Sequence, residues 1–211
     1  MSSRPYEPPK EGRSRFLATQ DRSDAAVSYD PCRVIRVVIN PRTMPPDAAG
    51  LVEDGLELLG NATGLQFEVE GTTDEPSTNP RPSFQPMRYG DRWAPILISW
   101  SDPEESPELG DAAGVAGSEY VEARGRYVYV SGHLVLDGPD LAKILAVDAG
   151  DSRVFVSDVI LHELGHLVGL DHVDDENELM FPEGRGERHG FGPGDRRGLY
   201  ELGGGRCLES I

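Results

Sequence analysis

Three histidines and a glutamate lie within the eleven residues HELGHLVGLDH, positions 162 to 172, of a chain that has five histidines in total. His162 and His166 are four residues apart, so on a helix their imidazoles lie one turn apart on the same side and can reach one ion. Zinc binds imidazole nitrogen at about 2.0–2.1 Å and suits such a pair. The spacing therefore predicts two ligands of a zinc ion.

A third histidine ligand requires the chain to reverse. On a continuous helix His172 would lie about 9 Å beyond His166 and on another face. Gly169 lies between them, and glycine adopts positive φ without steric cost and commonly ends helices. We therefore expect the helix to stop at Gly169 and His172 to return as the third ligand. Three protein ligands leave a fourth position for water, as in catalytic zinc sites.

Glu163 follows His162 directly, and in this motif its carboxylate can act on that water as general base and then pass the proton to the leaving amine. A single histidine on a helix is usually a solvated or a core residue. The complete HExxHxxGxxH pattern, in contrast, arises by chance in a chain of this length on the order of once in 10⁵. The pattern predicts a catalytic zinc site.

The same stretch resembles the metzincin metallopeptidases, and among them the bacterial relatives of the matrixins, peptidase family M10. The resemblance depends on HELGHLVGLDH and on the ELMFP that follows it. It implies a zinc-dependent endopeptidase that hydrolyses extended polypeptides. The implied roles are zinc ligands His162, His166 and His172, catalytic base Glu163, Met-turn methionine Met180, and S1′ pocket wall Pro182. The glycine-rich residues 183–194 would border that pocket as a mobile wall.

The elements predicted along the chain agree with an α+β, metzincin-like zincin catalytic domain that has a twisted, mixed five-stranded sheet and three main helices. Apolar and β-branched patterns predict strands near residues 34–39, 65–69, 96–100, 115–123 and 126–137. Helical spacing predicts helices from about 46 to 60, from 152 or 157 to 169, and from 195 to 202, with a short amphipathic piece at 141–147. We expect residues 114–121, GVAGSEYV, to be the edge along which a substrate pairs.

The chain has 211 residues, which suits one domain with a tail. Residues 1–30 are rich in Pro, Ser, Arg and Asp and have few apolar positions. Such a composition buries too little surface to offset chain entropy. We expect a disordered tail or a processed pro-segment over residues 1–30 and the catalytic domain over residues 31–211.

Cys32 and Cys207 are the only cysteines, and a bridge between them would clasp the first strand to the last segment. Such a disulfide, like the family resemblance, implies secretion into an oxidising compartment. Against this, the first sixteen residues lack an apolar stretch of signal-peptide length. The matrixin pro-segment offers an alternative, in which Cys32 caps the zinc. We favour the disulfide because Cys32 opens the first strand.

Acidic residues outnumber basic ones 37 to 20, for a formal net charge of −17, which opposes binding to nucleic acid. No apolar run approaches the roughly 18 residues of a membrane-spanning helix. We expect a monomer whose partner is a polypeptide substrate. The acidic surface would disfavour acidic substrates, although sequence does not place charge around the cleft.

Animal matrixins hold a second, structural zinc. Here His133 and His189 are the remaining histidines, too few for such a site, and we interpret both as surface or loop residues. One zinc is therefore expected. Calcium is possible at the acidic stretch 101–108, but no recognised ligand spacing is present, and we favour a solvated loop.

Two other functions are compatible with a zinc site. One is a secreted, non-proteolytic binding module in which zinc only holds the fold. Glu163 argues against it, because a structural site has no use for a base beside water. The other is a metal-dependent hydrolase of non-peptide substrates, against which only the Met-turn resemblance speaks.

Overall fold

The computed structural model describes residues 11–147, 151–183 and 190–208. The strands are β1 (Arg15–Phe16), β2 (Ser28–Tyr29), β3 (Val34–Asn40), β4 (Gln66–Thr72), β5 (Ile96–Ser101), β6 (Gly114–Ala123), β7 (Arg126–Asp137) and β8 (Leu170–Asp171). The helices are α1 (Leu51–Thr63), α2 (Pro86–Tyr89), α3 (Gly138–Leu145), α4 (Asp151–Val168) and α5 (Pro193–Leu202). None of the described helices combines the length and apolar character needed to cross a bilayer.

The main sheet has the order β4-β3-β5-β7-β6, in which all neighbours are parallel except β6 and β7. The antiparallel pair is joined by Arg124 and Gly125, both at positive φ, as the tight hairpin turn at this position requires. β6 pairs along one edge of β7, and its own second edge carries no strand among the described residues. The hairpin therefore places β6 at the edge of the sheet.

The predicted fold class is confirmed, and the sheet has one strand more than the five predicted. β2 pairs in parallel with Val128 and Tyr129 of β7, beside the stretch that β5 occupies. A two-residue strand leaves no periodic pattern in the sequence, so pattern analysis could not find it. Besides the three main helices, α2 and α3 are short additions of four and eight residues.

α1 and α4 pack together on one face of the sheet and enclose the core. Gly55 of α1 allows the close approach, because a Cβ there would lie 2.9 Å from Cδ1 of Leu164. The sheet contributes alternate residues of β5, among them Ile96, Ile98 and Trp100. α4 carries the HELGH residues. Packing in this core therefore fixes the position of α4 relative to the sheet.

The prediction that residues 1–30 form a disordered tail is wrong for residues 11–30, while residues 1–10 lie outside the described part. β1 pairs with β8, β2 pairs with β7, and the side chain of Gln20 bonds to the backbone of Tyr127 at both N and O. Val27 and Tyr29 are buried in the main core. Dispersed apolar residues thus order a segment whose composition is otherwise polar.

Cys32 and Cys207 form a disulfide with their Cα atoms 5.3 Å apart. The buried carboxylate of Asp30 accepts hydrogen bonds from the backbone N–H groups of Cys32 at 2.9 Å and of Leu208 at 3.1 Å. One side chain therefore supports the backbone on both sides of the bridge. The disulfide clasps the start of β3 to the segment that follows α5.

Removing residues 1–29 is expected to lower the stability of the protein. The loss of Val27 and Tyr29 alone removes two buried side chains, worth about 3–6 kcal/mol together. Thermal unfolding of a chain starting at residue 30 should therefore begin well below that of the full chain. A chain starting at residue 11 keeps all of these contacts and is the control; a melting temperature of the chain starting at residue 30 that equals the control's would contradict the assignment of this segment to the core.

Candidate active site

α4 presents three of the predicted site residues from one helix. Its buried side, with Ile160, Leu164 and Leu167, faces the core, and His162 and His166 project from the partly exposed side. Glu163 lies between these two faces and is buried, with only 7% of its surface exposed. The single helix thus fixes the spacing of two imidazoles and one carboxyl group.

The chain reverses at Gly169, as the sequence predicts. Gly169 has φ +118°, and its N–H donates to the carbonyls of His166 at 3.0 Å and Gly165 at 3.2 Å. β8 follows directly and leads back to His172, whose N–H donates to Oδ1 of Asp171 at 2.8 Å. Positive φ at this residue brings the third histidine to the other two.

The three imidazoles converge through their Nε2 atoms. Nε2 of His172 lies 3.1 Å from Nε2 of His162 and 3.1 Å from Nε2 of His166. Two ligands placed tetrahedrally about an ion at about 2.0–2.1 Å are about 3.3 Å apart. The arrangement therefore has the dimensions of a three-histidine metal site.

The opposite ring nitrogens are held by backbone carbonyls. Nδ1 of His162 donates to the carbonyl of Leu179 at 2.7 Å, and Nδ1 of His166 donates to that of Leu170 at 2.8 Å. Because a carbonyl only accepts, these bonds place the ring proton on Nδ1 and leave a lone pair on each Nε2. Lone pairs that converge at this distance require a cation or a proton between them, so the residues fit a bound metal ion.

Both helix histidines are in the form that ligates a metal at neutral pH. Burial, with a smaller contribution from neighbouring His166, lowers the pKa of His162 to about 4. Burial also lowers the pKa of His166 from its ordinary value. Neutral imidazole is the metal-binding form, so little proton release opposes binding at these two positions.

The carboxyl group of Glu163 faces the same cleft and is set there by the lack of a side chain at Gly114. A Cβ on Gly114 would lie 2.7 Å from Cγ of Glu163. Among the described residues, no hydrogen bond or ion pair engages this carboxyl group, and burial raises its pKa to about 7. Glu163 is therefore poised to exchange a proton near neutral pH.

A cleft of about 550 Å³ surrounds these groups. β6 borders it through Gly114, Val115 and Ala116, and the opposite wall includes Leu179 and Pro182. Residues 184–189, which make up half of the glycine-rich stretch predicted as a mobile wall, lie outside the described residues. The structure therefore brings the predicted edge strand and Pro182 to the same cleft as the histidines.

Met180 lies beneath the histidines in the core. It is buried, and its Sδ would be 2.6 Å from a Cβ placed on Gly165, the glycine between Glu163 and His166. The glycine of HELGH thus makes room for the methionine. The role of Met180 as the Met-turn methionine stays a prediction.

Two buried carboxylates, in a role that the sequence did not predict, hold this methionine segment to α5. Asp195 accepts from the N–H groups of Leu179 at 2.5 Å and Gly192 at 2.9 Å. Glu178 accepts in return from the N–H groups of Gly194 at 2.8 Å and Asp195 at 3.0 Å. Burial raises the pKa of Asp195 to about 6, despite the backbone N–H donors. The sequence signal for this role is the acidic residue at the third position of the closing helix, where a carboxylate can cap the N-terminus of the helix.

The positions considered for other metals do not form comparable sites. His133 is not a loop residue as expected but lies partly buried in β7, where burial lowers its pKa, and His189 lies outside the described residues. In the acidic stretch, Oδ1 of Asp102 accepts from the N–H groups of Glu104 and Glu105 within its own turn. Among the described residues, the other possible ligand cluster consists of the two disulfide cysteines with Asp30.

A family model described as Matrixin, peptidase M10, matches residues 83–202, more than half of the chain. The chain belongs to the matrixin family. It is therefore a zinc metallopeptidase in the general sense of that family, and zinc is the metal expected at the three histidines. The resemblance drawn from HELGHLVGLDH and ELMFP is confirmed.

Solved structures similar to this matrixin include an archaemetzincin from Methanopyrus kandleri, with 16% identity over 79% of this chain and 92% of that one and a TM-score of 0.42. Another is metalloproteinase-II from Bacteroides fragilis, with 13% identity over 86% of this chain and 52% of that one and a TM-score of 0.36. No curated protein sequence matches the chain.

Gly114→Ala is expected to lower kcat for peptide hydrolysis about 10- to 100-fold, because the added methyl displaces the Glu163 side chain and small misplacements of reacting groups are costly. Metal content and melting temperature should stay near those of the wild type. Gly117→Ala is the matched control, since a Cβ on that β6 glycine meets nothing within 4 Å. Equal kcat values for the two variants would refute the proposed steric role of Gly114.

Proposed function

We propose that this chain is a zinc-dependent endopeptidase that hydrolyses internal peptide bonds of extended polypeptides. The observation that carries the proposal is the convergence of three Nε2 atoms in one cleft with the buried carboxyl group of Glu163. When bound by His162, His166 and His172, zinc supplies Lewis acidity, which makes a carbonyl carbon more electrophilic and water more acidic.

Glu163 moves the proton in this reaction. Its carboxylate accepts a proton from the attacking water as the water oxygen bonds to the scissile carbonyl carbon. The carboxyl group then donates that proton to the departing nitrogen as the C–N bond breaks. The burial that raises the pKa of Glu163 to about 7 supports both steps, because a group that titrates near the working pH can accept and release a proton readily.

β6 binds and orients the substrate backbone. Its free edge can pair with an extended chain through main-chain hydrogen bonds, as in β-augmentation. The register of β6 with β7 is regular from Gly114 to Glu119 and shifts between Glu119 and Tyr120. We therefore assign pairing to the first half of the predicted edge, where Gly114, Val115 and Ala116 border the cleft.

The pocket beside Pro182 receives the residue that follows the scissile bond. Its walls include Phe155, Val159 and Phe181, which are apolar and partly buried. Such a pocket gains free energy by removing an apolar side chain from water. Met180 supports this side of the cleft from below, as the methionine of the Met-turn.

The Cys32–Cys207 disulfide supports an oxidising compartment, and we infer secretion on that ground. The disulfide and the bonds of Asp30 to both flanking segments also support Cys32 as a structural cysteine rather than an inhibitory one. A monomer remains the predicted state.

Glu163→Gln and Glu163→Ala are expected to lower kcat by at least 100-fold, because removing a general base costs about 10²–10⁴ in rate. Zinc should remain bound at one ion per chain, since the three imidazoles are unchanged. The measurement is cleavage of a quenched fluorescent peptide library, with and without a chelator, beside a metal count. Glu57→Gln, at an exposed position of α1, is the control and should keep wild-type activity.

Wild-type turnover by Glu163→Ala would contradict the role of Glu163. If the wild type binds zinc but neither it nor any variant shows chelator-sensitive cleavage, the result would instead favour the non-proteolytic binding module.

Peptides acetylated at one end and amidated at the other should be cleaved at internal bonds as fast as the unblocked peptides, within about twofold. The described lining of the cleft includes residues beyond the histidines on both sides, Phe155 and Leu17, so a peptide can extend past the metal site in both directions. Mass spectrometry of the products identifies the bond. A requirement for a free amino or carboxyl terminus would identify an exopeptidase and overturn the endopeptidase assignment.

A further inference from the structure

The N-terminal segment runs along the strand that delivers the third histidine. Arg15 pairs with Asp171 and Phe16 with Leu170 in the antiparallel β1–β8 ladder. The N–H of Leu17 continues the contact by donating to the carbonyl of Gly169 at 3.0 Å. Since His172 follows β8 directly, the segment is fixed relative to the metal site.

Leu17 is the residue of this segment that reaches the cleft. Its side chain lines the same cavity as His166 and His172 and is 48% exposed. The preceding residue, Phe16, turns away and packs against the core, as alternation along a strand requires. A half-exposed apolar side chain on a cleft wall gains free energy when an apolar partner covers it.

Leu17 contacts the C-terminal end of α4, and this place along the helix indicates which part of a substrate Leu17 meets. Leu17 bonds to Gly169, at the end of the helix, and Phe155, on the wall of the Pro182 pocket, lies fourteen residues earlier. This separation is about 21 Å along the helix axis, or about six residues of an extended peptide. His162 and His166 lie between the two ends.

A peptide bound along the cleft therefore meets Leu17 and the Pro182 pocket on opposite sides of its scissile bond. We propose that Leu17 is a specificity-determining residue, which forms an apolar subsite for a side chain two to three positions before the scissile bond. This inference rests on the proposed endopeptidase function and on the assignment of the Pro182 pocket to the residue after the bond.

The subsite is tested with blocked eight-residue peptides that differ only in carrying Leu, Ala or Lys at each of the three positions before the cleaved bond. A second series varies the residue after the bond. The wild type should prefer Leu to Ala by about three- to tenfold in kcat/KM at the second or third position before the bond, mainly through KM; a preference confined to the first position would contradict the proposal. The Leu17→Ala variant should lose this preference for Leu. It should keep the wild-type preference for the residue after the scissile bond.

Leu58→Ala is the matched control, because Leu58 on α1 is 49% exposed and borders a different cavity. It should retain both preferences. Leu17→Glu provides a second variant at the same exposed position and should shift the preference at that position from Leu towards Lys. Metal content and melting temperature are measured for every variant.

Retention of the Leu preference by Leu17→Ala overturns the subsite. An equal loss of activity on all peptides, with a lower melting temperature or metal content, also overturns it, since this would make Leu17 only a support for β8. Failure of the zinc-loaded wild type to cleave any peptide is a different result, because it overturns the proposed endopeptidase function itself.

Discussion

Three imidazole lone pairs held about 3 Å apart repel one another, and the surrounding structure has to hold them there before a cation can neutralise the repulsion. The protein does so with backbone groups. The carbonyls of Leu179 and Leu170 orient two of the rings, and the reversal at Gly169 returns the third. These carbonyls belong to different segments, so the metal site depends on the tertiary fold and not on α4 alone. Preorganised ligands lose little conformational freedom when a metal binds.

The Asp195 carboxylate accepts from the methionine segment and the Glu178 carboxylate accepts from the start of α5, and these bonds extend the dependence to the end of the domain. Asp195 fixes the N–H of Leu179, and the carbonyl of the same residue fixes His162. Burial is the main cause of the raised pKa of Asp195, and the nearby charge of Glu178 raises that pKa further. Since its pKa in the folded protein lies above the unfolded value, this group contributes most to stability at acidic pH. That contribution falls as the pH rises between about 4 and 6.

The residues that could be predicted are those whose role follows from local spacing. HELGH on a helix, the turn at Gly169 and the edge position of β6 all depend on contacts or periodicities within a few residues. The order of residues 11–30 could not be predicted, because it depends on pairing with β7 and β8, whose partner residues lie 100 or more positions further along the chain. The same holds for Leu17, whose place in the cleft is visible only once β8 has brought it beside His172.

The Cys32–Cys207 disulfide determines what a proteolytic cut does to this chain. The bridge joins residues 175 positions apart and encloses β3 to β8, all five helices, the three histidines and Glu163 in one covalent ring. A single backbone cut within this ring, for instance in the long loop between β4 and β5, leaves both pieces attached to each other. Such a cut therefore opens the ring without releasing a fragment, and the three histidines stay on one molecule.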